Sequence, residues 1–166
     1  DFARMPKPIL RKNNIVNLIK ENIKLLNELD KSIVIKFNSN SSEVFLNSDN
    51  EQLSRVFLNL IKNSIESIQQ KHENNSLFDK KITIELFQDD IQIIIIITDN
   101  GIGFEKFNNN IKDALNPYIT TKKNGTGLGL SIVNKIVNDH NGKIELMKVK
   151  EGAKIKIVFI KWVKKY

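Results

Sequence analysis

The chain has 166 residues, 40% of them hydrophobic, and carries a net charge of +7 from 26 basic and 19 acidic side chains, which is enough apolar content for one core of its own. It contains no cysteine, which excludes disulfides and thiolate metal sites; its longest apolar run, Ile93–Ile97, is far shorter than the ~20 residues of a membrane span. The basic residues are spread through a Lys-, Asn- and Ile-rich chain rather than gathered into a stripe, which argues against a nucleic-acid surface.

No signal-peptide pattern opens the chain. It starts at "DFARMPKP" without an initiator methionine, which suggests an excised piece of a longer protein. Residues 2–8, with two prolines, basic side chains and little periodicity, read as an extended linker. Apolar residues at Ile15, Leu18, Ile19, Ile23, Leu26 and Leu29 repeat with a helical period and predict a helix over 14–29. "SIVIKF" and "SEVFL" alternate like short strands. A second helix is expected over 49–70, opened by a capping box at Ser48-x-x-Glu51 and ended near "HENNS". "KKITIELFQDDIQIIIIITDN" reads as two strands joined at "QDD". Residues 104–124 are Asn- and Lys-rich and long for a connection, as functional lids often are. A third helix over 126–140 and two closing strands, turning at Glu151-Gly152, complete the chain. The order predicts a helix layer on a mixed sheet, an α+β two-layer sandwich.

Three features carry the chemistry. Asn59 and Asn63 lie one turn apart at the border of the second helix's apolar stripe; on their own they are better read as surface residues of an Asn-rich chain. Asp99-Asn100-Gly101-Ile102-Gly103 follows the all-isoleucine strand, where a carboxylate can accept a hydrogen bond from the exocyclic amine of adenine but repels the guanine oxygen. On its own it is also an ordinary Asp-x-Gly turn. "TTKKNGTGLGLSIV" is neither a Walker loop nor a dinucleotide fingerprint. Its glycines leave bare backbone ahead of a helix N-terminus, which presents free amides and partial positive charge to an anion, with Thr120, Thr121, Lys122 and Lys123 just upstream.

Taken together, Asn-x-x-x-Asn on a helix, Asp-x-Gly-x-Gly, the lid stretch "NPYITTK" and Gly-Thr-Gly-Leu-Gly-Leu closely resemble the ATP-binding catalytic domain of sensor histidine kinases. With "FARMPKP" and "GTGLGLSIVNKIVNDHNGKI", the likeness is greatest to the NtrY type of nitrogen-regulation sensor kinase. The resemblance implies the Bergerat ATP-binding fold, shared with gyrase, Hsp90 and mismatch-repair ATPases. It implies ATP and Mg²⁺ as ligands, with Asn63 on the metal and Asn59 at the phosphates. It places Asp99 on the adenine amine and has Gly101 and Gly103 shape the base pocket. Pro117, Tyr118, Thr120, Thr121 and Lys122 would belong to the lid, with Lys122 also serving the transferred phosphate. Gly125, Thr126, Gly127, Leu128 and Gly129 would wrap the triphosphate.

Departures from the family pattern are informative. Glu66 stands where many of these kinases have a base, so Lys122, Lys123 or Arg55 must supply the cation. Leu115-Asn116 replaces the usual lid aromatic, and Asn141 stands where glycine is common, as a left-handed helix C-cap permits. The related ATPases place a glutamate one turn before the metal Asn as the base that activates water; here that position is Asn59, so phosphoryl transfer is favoured over hydrolysis. His72 reads as a solvated residue and His140 as a capping residue, neither in the sequence context of a phosphoacceptor. The expected organisation is therefore a linker over 1–12 from an upstream dimerisation domain bearing the acceptor histidine, then the catalytic domain over 13–166. A response regulator is the expected partner. The parent would be a homodimer, anchored in the inner membrane with this domain cytoplasmic, and this piece alone a monomer. A serine kinase of the same superfamily and a degenerate nucleotide-binding module are the alternatives.

Overall fold

A computed structural model describes residues 5–74, 77–103 and 129–161. Strand β1 (Arg11–Asn14) leads into α1 (Ile15–Leu26), followed by β2 (Val34–Ser39), β3 (Phe45–Ser48), α2 (Asn50–Asn74), β4 (Lys81–Gln88), β5 (Gln92–Asp99), α3 (Gly129–Asp139), β6 (Gly142–Met147) and β7 (Ala153–Ile160). Five strands form one sheet in the order β2-β4-β5-β7-β6, and β1 pairs with β3 in a separate ribbon. The β2–β4 pair is parallel and the other neighbours are antiparallel. A parallel pair needs a crossover, and α2 lies within it.

One face of the sheet is the core. Ile82, Ile84 and Leu86 of β4, Ile93, Ile95 and Ile97 of β5, and Ile155, Ile157 and Phe159 of β7 are buried against the helices. Side chains alternate along a strand, so this series continues to position 99 and carries Asp99 to the helix side. The register fixes it there, with Asp99 opposite Ile82 on one neighbour and Ala153 on the other. A one-residue slip would turn Ile94 and Ile96 inward in place of the core isoleucines and carry Asp99 to the opposite face, so the register with β4 and β7, not the strand's own pattern, keeps Asp99 on the helix side. The helices answer with matching stripes. In α1 these are Ile15, Val16, Leu18, Ile19 and Leu26. In α2 they are Leu53, Val56, Phe57, Leu60, Ile61, Ile65 and Ile68, with Ser64 inside the stripe.

The elements follow the sequence expectation with several differences in their bounds; helix α1, for one, ends at Leu26, three residues before the expected end at Leu29. Residues 11–14, divided between linker and domain at 12/13, form β1, whose partners on β3 are Ser48, Asn47, Leu46 and Phe45. The α2 cap sits one residue later than the Ser48-x-x-Glu51 box: Asp49 Oδ1 accepts from Gln52 N at 3.1 Å, while Ser48 is the last residue of β3. Helix α2 also continues through His72 and Glu73 to Asn74, beyond the expected end at residue 70.

Residues 5–9 fasten onto that cap, since Ile9 N donates to Asp49 Oδ2 at 3.0 Å and Gln52 Nε2 to Pro6 O at 2.9 Å. His140, 4% exposed, completes the junction. Its Nε2 accepts from Asp49 N at 3.0 Å, and its Nδ1 lies 2.8 Å from Ile136 O in the last turn of α3. The tautomer with hydrogen on Nδ1 satisfies both. His140 is thus a capping residue for two helices at once. Asn141 follows at φ 59°, the left-handed end that its place after α3 called for. His140→Leu keeps the volume but strands the Asp49 amide, and is expected to lower stability by about 1–3 kcal/mol in urea denaturation.

Candidate nucleotide site

Helix α2 organises the site because three of its polar side chains, at successive turns, reach the loop that leaves β5. Ser64 hydrogen-bonds to the Asp99 carboxylate. Ser67 Oγ accepts from Ile102 N at 2.9 Å and from Gly103 N at 3.4 Å. Lys71 Nζ donates to Asn100 O at 2.9 Å. Asp99 also accepts from Gly101 N at 2.9 Å, closing a tight turn on itself.

Asp99 is 5% exposed, and burial pushes its carboxyl up to about 6, against the opposing pull of its Gly101, Ser64 and Ala153 hydrogen bonds and of the Lys71 charge. A carboxylate buried this way is a strong acceptor held at some cost, the profile of a recognition group rather than a surface acid.

The glycines are there for proximity. A Cβ at Gly101 would stand 2.3 Å from Ser67 Oγ and 2.6 Å from Ser67 C, so the loop lies flat on α2. Gly103 (φ +76°) would meet Gly152 O at 2.3 Å, and Gly152 (φ +72°) would meet Asp99 O at 1.9 Å. The β6–β7 turn therefore packs directly on the loop that leaves β5. Asn100 ties the loop to the start of β4: its Oδ1 accepts from Lys81 N at 3.0 Å and its Nδ2 donates to Asp79 O.

Asn59 and Asn63 are half-buried on α2, as their place at the stripe's border implies. Gly129, the first residue of α3, comes within reach of the same face, with its Cβ direction 4.0 Å from Asn63 Nδ2. The structure thus gathers Asn63, Asp99, Gly101, Gly103 and Gly129 around α2. Arg55 is exposed and His72 is exposed. Pro117, Tyr118, Thr120, Thr121, Lys122, Lys123, Gly125, Thr126, Gly127 and Leu128 lie outside the described residues. Among the described residues no helix is long and apolar enough to cross a membrane, and no group of three His, Cys, Asp or Glu could hold a metal ion.

Sequence reasoning missed Ser64, Ser67, Lys71 and Gly152. A signal for the first three existed: Ser64, Ser67 and Lys71 follow one another at spacings of three and four residues and so share one side of α2.

Residues 48–163 match the model of the histidine kinase-, DNA gyrase B- and HSP90-like ATPases. The chain belongs to this family. The match covers both asparagines, the Asp99 loop and the glycine stretch, and the domain it describes binds ATP. An NtrY-like sensor histidine kinase of Rickettsia conorii is 36% identical over 95% of the chain and 25% of its own length. The nitrogen regulation protein NtrY of Azorhizobium caulinodans is 32% identical over 91% of the chain and 19% of its own. The chain spans about a quarter or less of these relatives. Among solved structures, the nucleotide-free catalytic domain of the histidine kinase ThkA superposes with a TM-score of 0.78 at 25% identity, covering 92% of this chain and 96% of that one. The α+β sandwich is accordingly the fold of a histidine-kinase catalytic domain, the ATP-binding architecture that the sequence motifs implied.

Proposed function

We propose that this chain is the ATP-binding catalytic domain of a two-component sensor histidine kinase of the NtrY type. It would transfer the γ-phosphoryl group of Mg·ATP to a histidine on a separate dimerisation domain, for relay to a response regulator. One observation carries the reading: Asp99 and the start of α3 meet neighbouring residues of α2, Asp99 at Ser64 and Gly129 beside Asn63, one turn on from Asn59. An adenine seated against Gly101, with its amine on the Asp99 carboxylate, would extend its phosphates along that face toward Gly129 and the helix N-terminus behind it.

The donor set fits magnesium. This ion commonly takes one or two protein oxygens and fills its octahedron with phosphate and water, and the Asn63 amide oxygen, next to the anion-binding end of α3, suits that role. When bound, Mg²⁺ neutralises phosphate charge. The chain's own residues do the rest: Asp99 would select and orient the base, Asn59 and the start of α3 would hold the phosphates, and Lys122 is proposed to steady the transferred group. With an amide at Asn59 where the related ATPases carry a general base, in-line transfer to an incoming nucleophile is preferred to attack by water.

His140 is committed to Asp49 and Ile136, which supports an acceptor histidine on another domain. The histidine kinase ThkA has been solved with the response regulator TrrA, which supports a regulator as downstream partner; the serine-kinase alternative draws no support from relatives named as sensor histidine kinases.

The experiment is ATP titration with and without magnesium, followed by mixing with a histidine-bearing dimerisation domain. At a hundred times its dissociation constant, Mg·ATP is expected to add about 2.7 kcal/mol of stability. Phosphate from γ-labelled ATP is expected on the added domain, with little on this chain alone. Asn63→Asp is expected to alter the metal requirement; an unchanged Mg²⁺ dependence removes Asn63 from the metal site, and no melting shift with ATP overturns the function.

A further inference from the structure

We propose that Lys71 is a positioning residue for base recognition, a clamp that holds the Asp99–Gly103 loop between α2, the β6–β7 turn and the segment entering β4. The inference rests on the nucleotide-site reading above and extends it to a residue that no motif includes.

The side chain of Lys71 is 22% exposed and its ammonium sits among three different elements. It donates to Asn100 O at 2.9 Å. It lies 4.0 Å from Glu151 Oε2 in the β6–β7 turn, and 4.5 Å from the centroid of the Phe78 ring in the segment before β4. Each contact reaches a body that itself touches the loop, the one to the 78%-exposed Glu151 being the weakest. Glu151 adjoins Gly152, whose backbone crowds both Asp99 O and Gly103. Phe78 adjoins Asp79, whose carbonyl accepts from the Asn100 side chain. A part-buried cation over an aromatic face and bonded to a carbonyl is held more firmly than a fully exposed lysine.

The loop's own backbone explains why it needs such a hold. Asn100 O points to Lys71, the amides of Ile102 and Gly103 point to Ser67, and Gly101 has no side chain with which to pack. The two seryl contacts grip the far half of the loop, and Lys71 grips the near half, beside Asp99. Its positive charge also lies close enough to favour the ionised carboxylate, the form that accepts from an adenine amine. Lys71 therefore acts on the nucleotide through Asp99, by setting where the carboxylate points and how readily it ionises.

The test uses Lys71→Met, Lys71→Arg and Glu151→Gln in the whole chain, with ATP affinity measured from pH 5 to pH 8 and amide hydrogen exchange followed without nucleotide. Lys71→Met is expected to weaken ATP about tenfold at pH 7 and to move the acid limb of binding upward by about half a pH unit. It is also expected to speed exchange at Gly101 and Ile102, while circular dichroism keeps the wild-type helix content. Lys71→Arg should restore binding to within about threefold, and Glu151→Gln should have a smaller effect in the same direction. Unchanged affinity and an unmoved acid limb in Lys71→Met overturn the clamp, and so does a loss of affinity accompanied by general unfolding with no movement of the limb. Failure of the wild-type chain to bind ATP removes the nucleotide reading instead; faster exchange at Gly101 and Ile102 in Lys71→Met then still marks Lys71 as the loop's anchor, and unchanged exchange overturns that as well.

Discussion

Asp99→Asn is expected to make the nucleotide-free domain more stable and its ATP binding much weaker. The free carboxyl has an ordinary value of 3.8 and burial raises it to about 6 in the fold. As pH rises from about 4, the unfolded chain ionises first, and the native state follows only near pH 6. Stability contributed by this group is therefore present in acid and lost across that window. A difference of about two in pKa corresponds to about 3 kcal/mol above pH 7. Asparagine has the shape of the acid and never ionises, so at pH 7.5 it should recover much of that loss. For a chain of this size, this is a rise of about 6–9 °C in melting temperature. The same change removes the charged acceptor proposed for the adenine amine, worth about 2–3 kcal/mol, or roughly 30- to 160-fold in affinity. Wild-type affinity should itself fall about tenfold between pH 7.5 and pH 5 as Asp99 takes up its proton. Thermal melts and ATP titrations of both proteins at the two pH values check the pair of effects; a destabilised Asp99→Asn domain contradicts the account of a carboxylate held at a cost.

The second large effect is expected at the glycines that let three backbones meet. In Gly152→Ala the new methyl group would stand 1.9 Å from Asp99 O and 2.9 Å from Asn100 Cα, at a φ of +72°. The left-handed conformation alone costs about 1–2 kcal/mol, and the collision is with backbone, which cannot rotate away. A loss of more than about 4 kcal/mol is expected, seen as a lowered urea midpoint, with ATP binding abolished in the protein that remains folded. Gly101→Ala meets Ser67 Oγ at 2.3 Å but also Ser67 C and Ile68 N at 2.6 and 2.7 Å. Combining it with Ser67→Ala should therefore leave ATP binding lost, since the helix backbone remains in the way. Recovery of binding in that double variant would show that the hydroxyl, not the helix, sets the closeness of the loop.

These two cases also mark where the sequence was legible. The α2 stripe and the alternation in β4 and β7 could be read directly, because each is periodic within a single element. The strand "QIIIIITD" carries isoleucine on both faces, so nothing in its own pattern says which side Asp99 takes. That is settled by register with β4 and β7, a long-range fact. The α2 cap was misplaced by one residue because Ser48 and Asp49 are both good N-caps, each followed at the right distance by a Glu or Gln. Pairing of β1 with β3 decides between them, and "RKNN" has no alternation to announce a strand. The glycine motifs pointed to a close approach but not to its partner; that Gly152 presses on Asp99 required the turn between two distant strands to be placed. His140 looked like the end of α3, and it also secures the start of α2, 91 residues away.

The ribbon of β1 and β3 stands apart from the five-stranded sheet, and residues 5–9 reach the body of the domain through Asp49 and Gln52. Trimming the chain back to residue 13 would thus leave every ladder of the large sheet complete. What it would strip is the collar around the first turn of α2: the Ile9 amide from the Asp49 carboxylate, the Pro6 carbonyl from Gln52, and two of four rungs from the ribbon. The rod that carries both asparagines and the loop's anchors would then be frayed at its leading end, while its far end near Lys71 stayed seated.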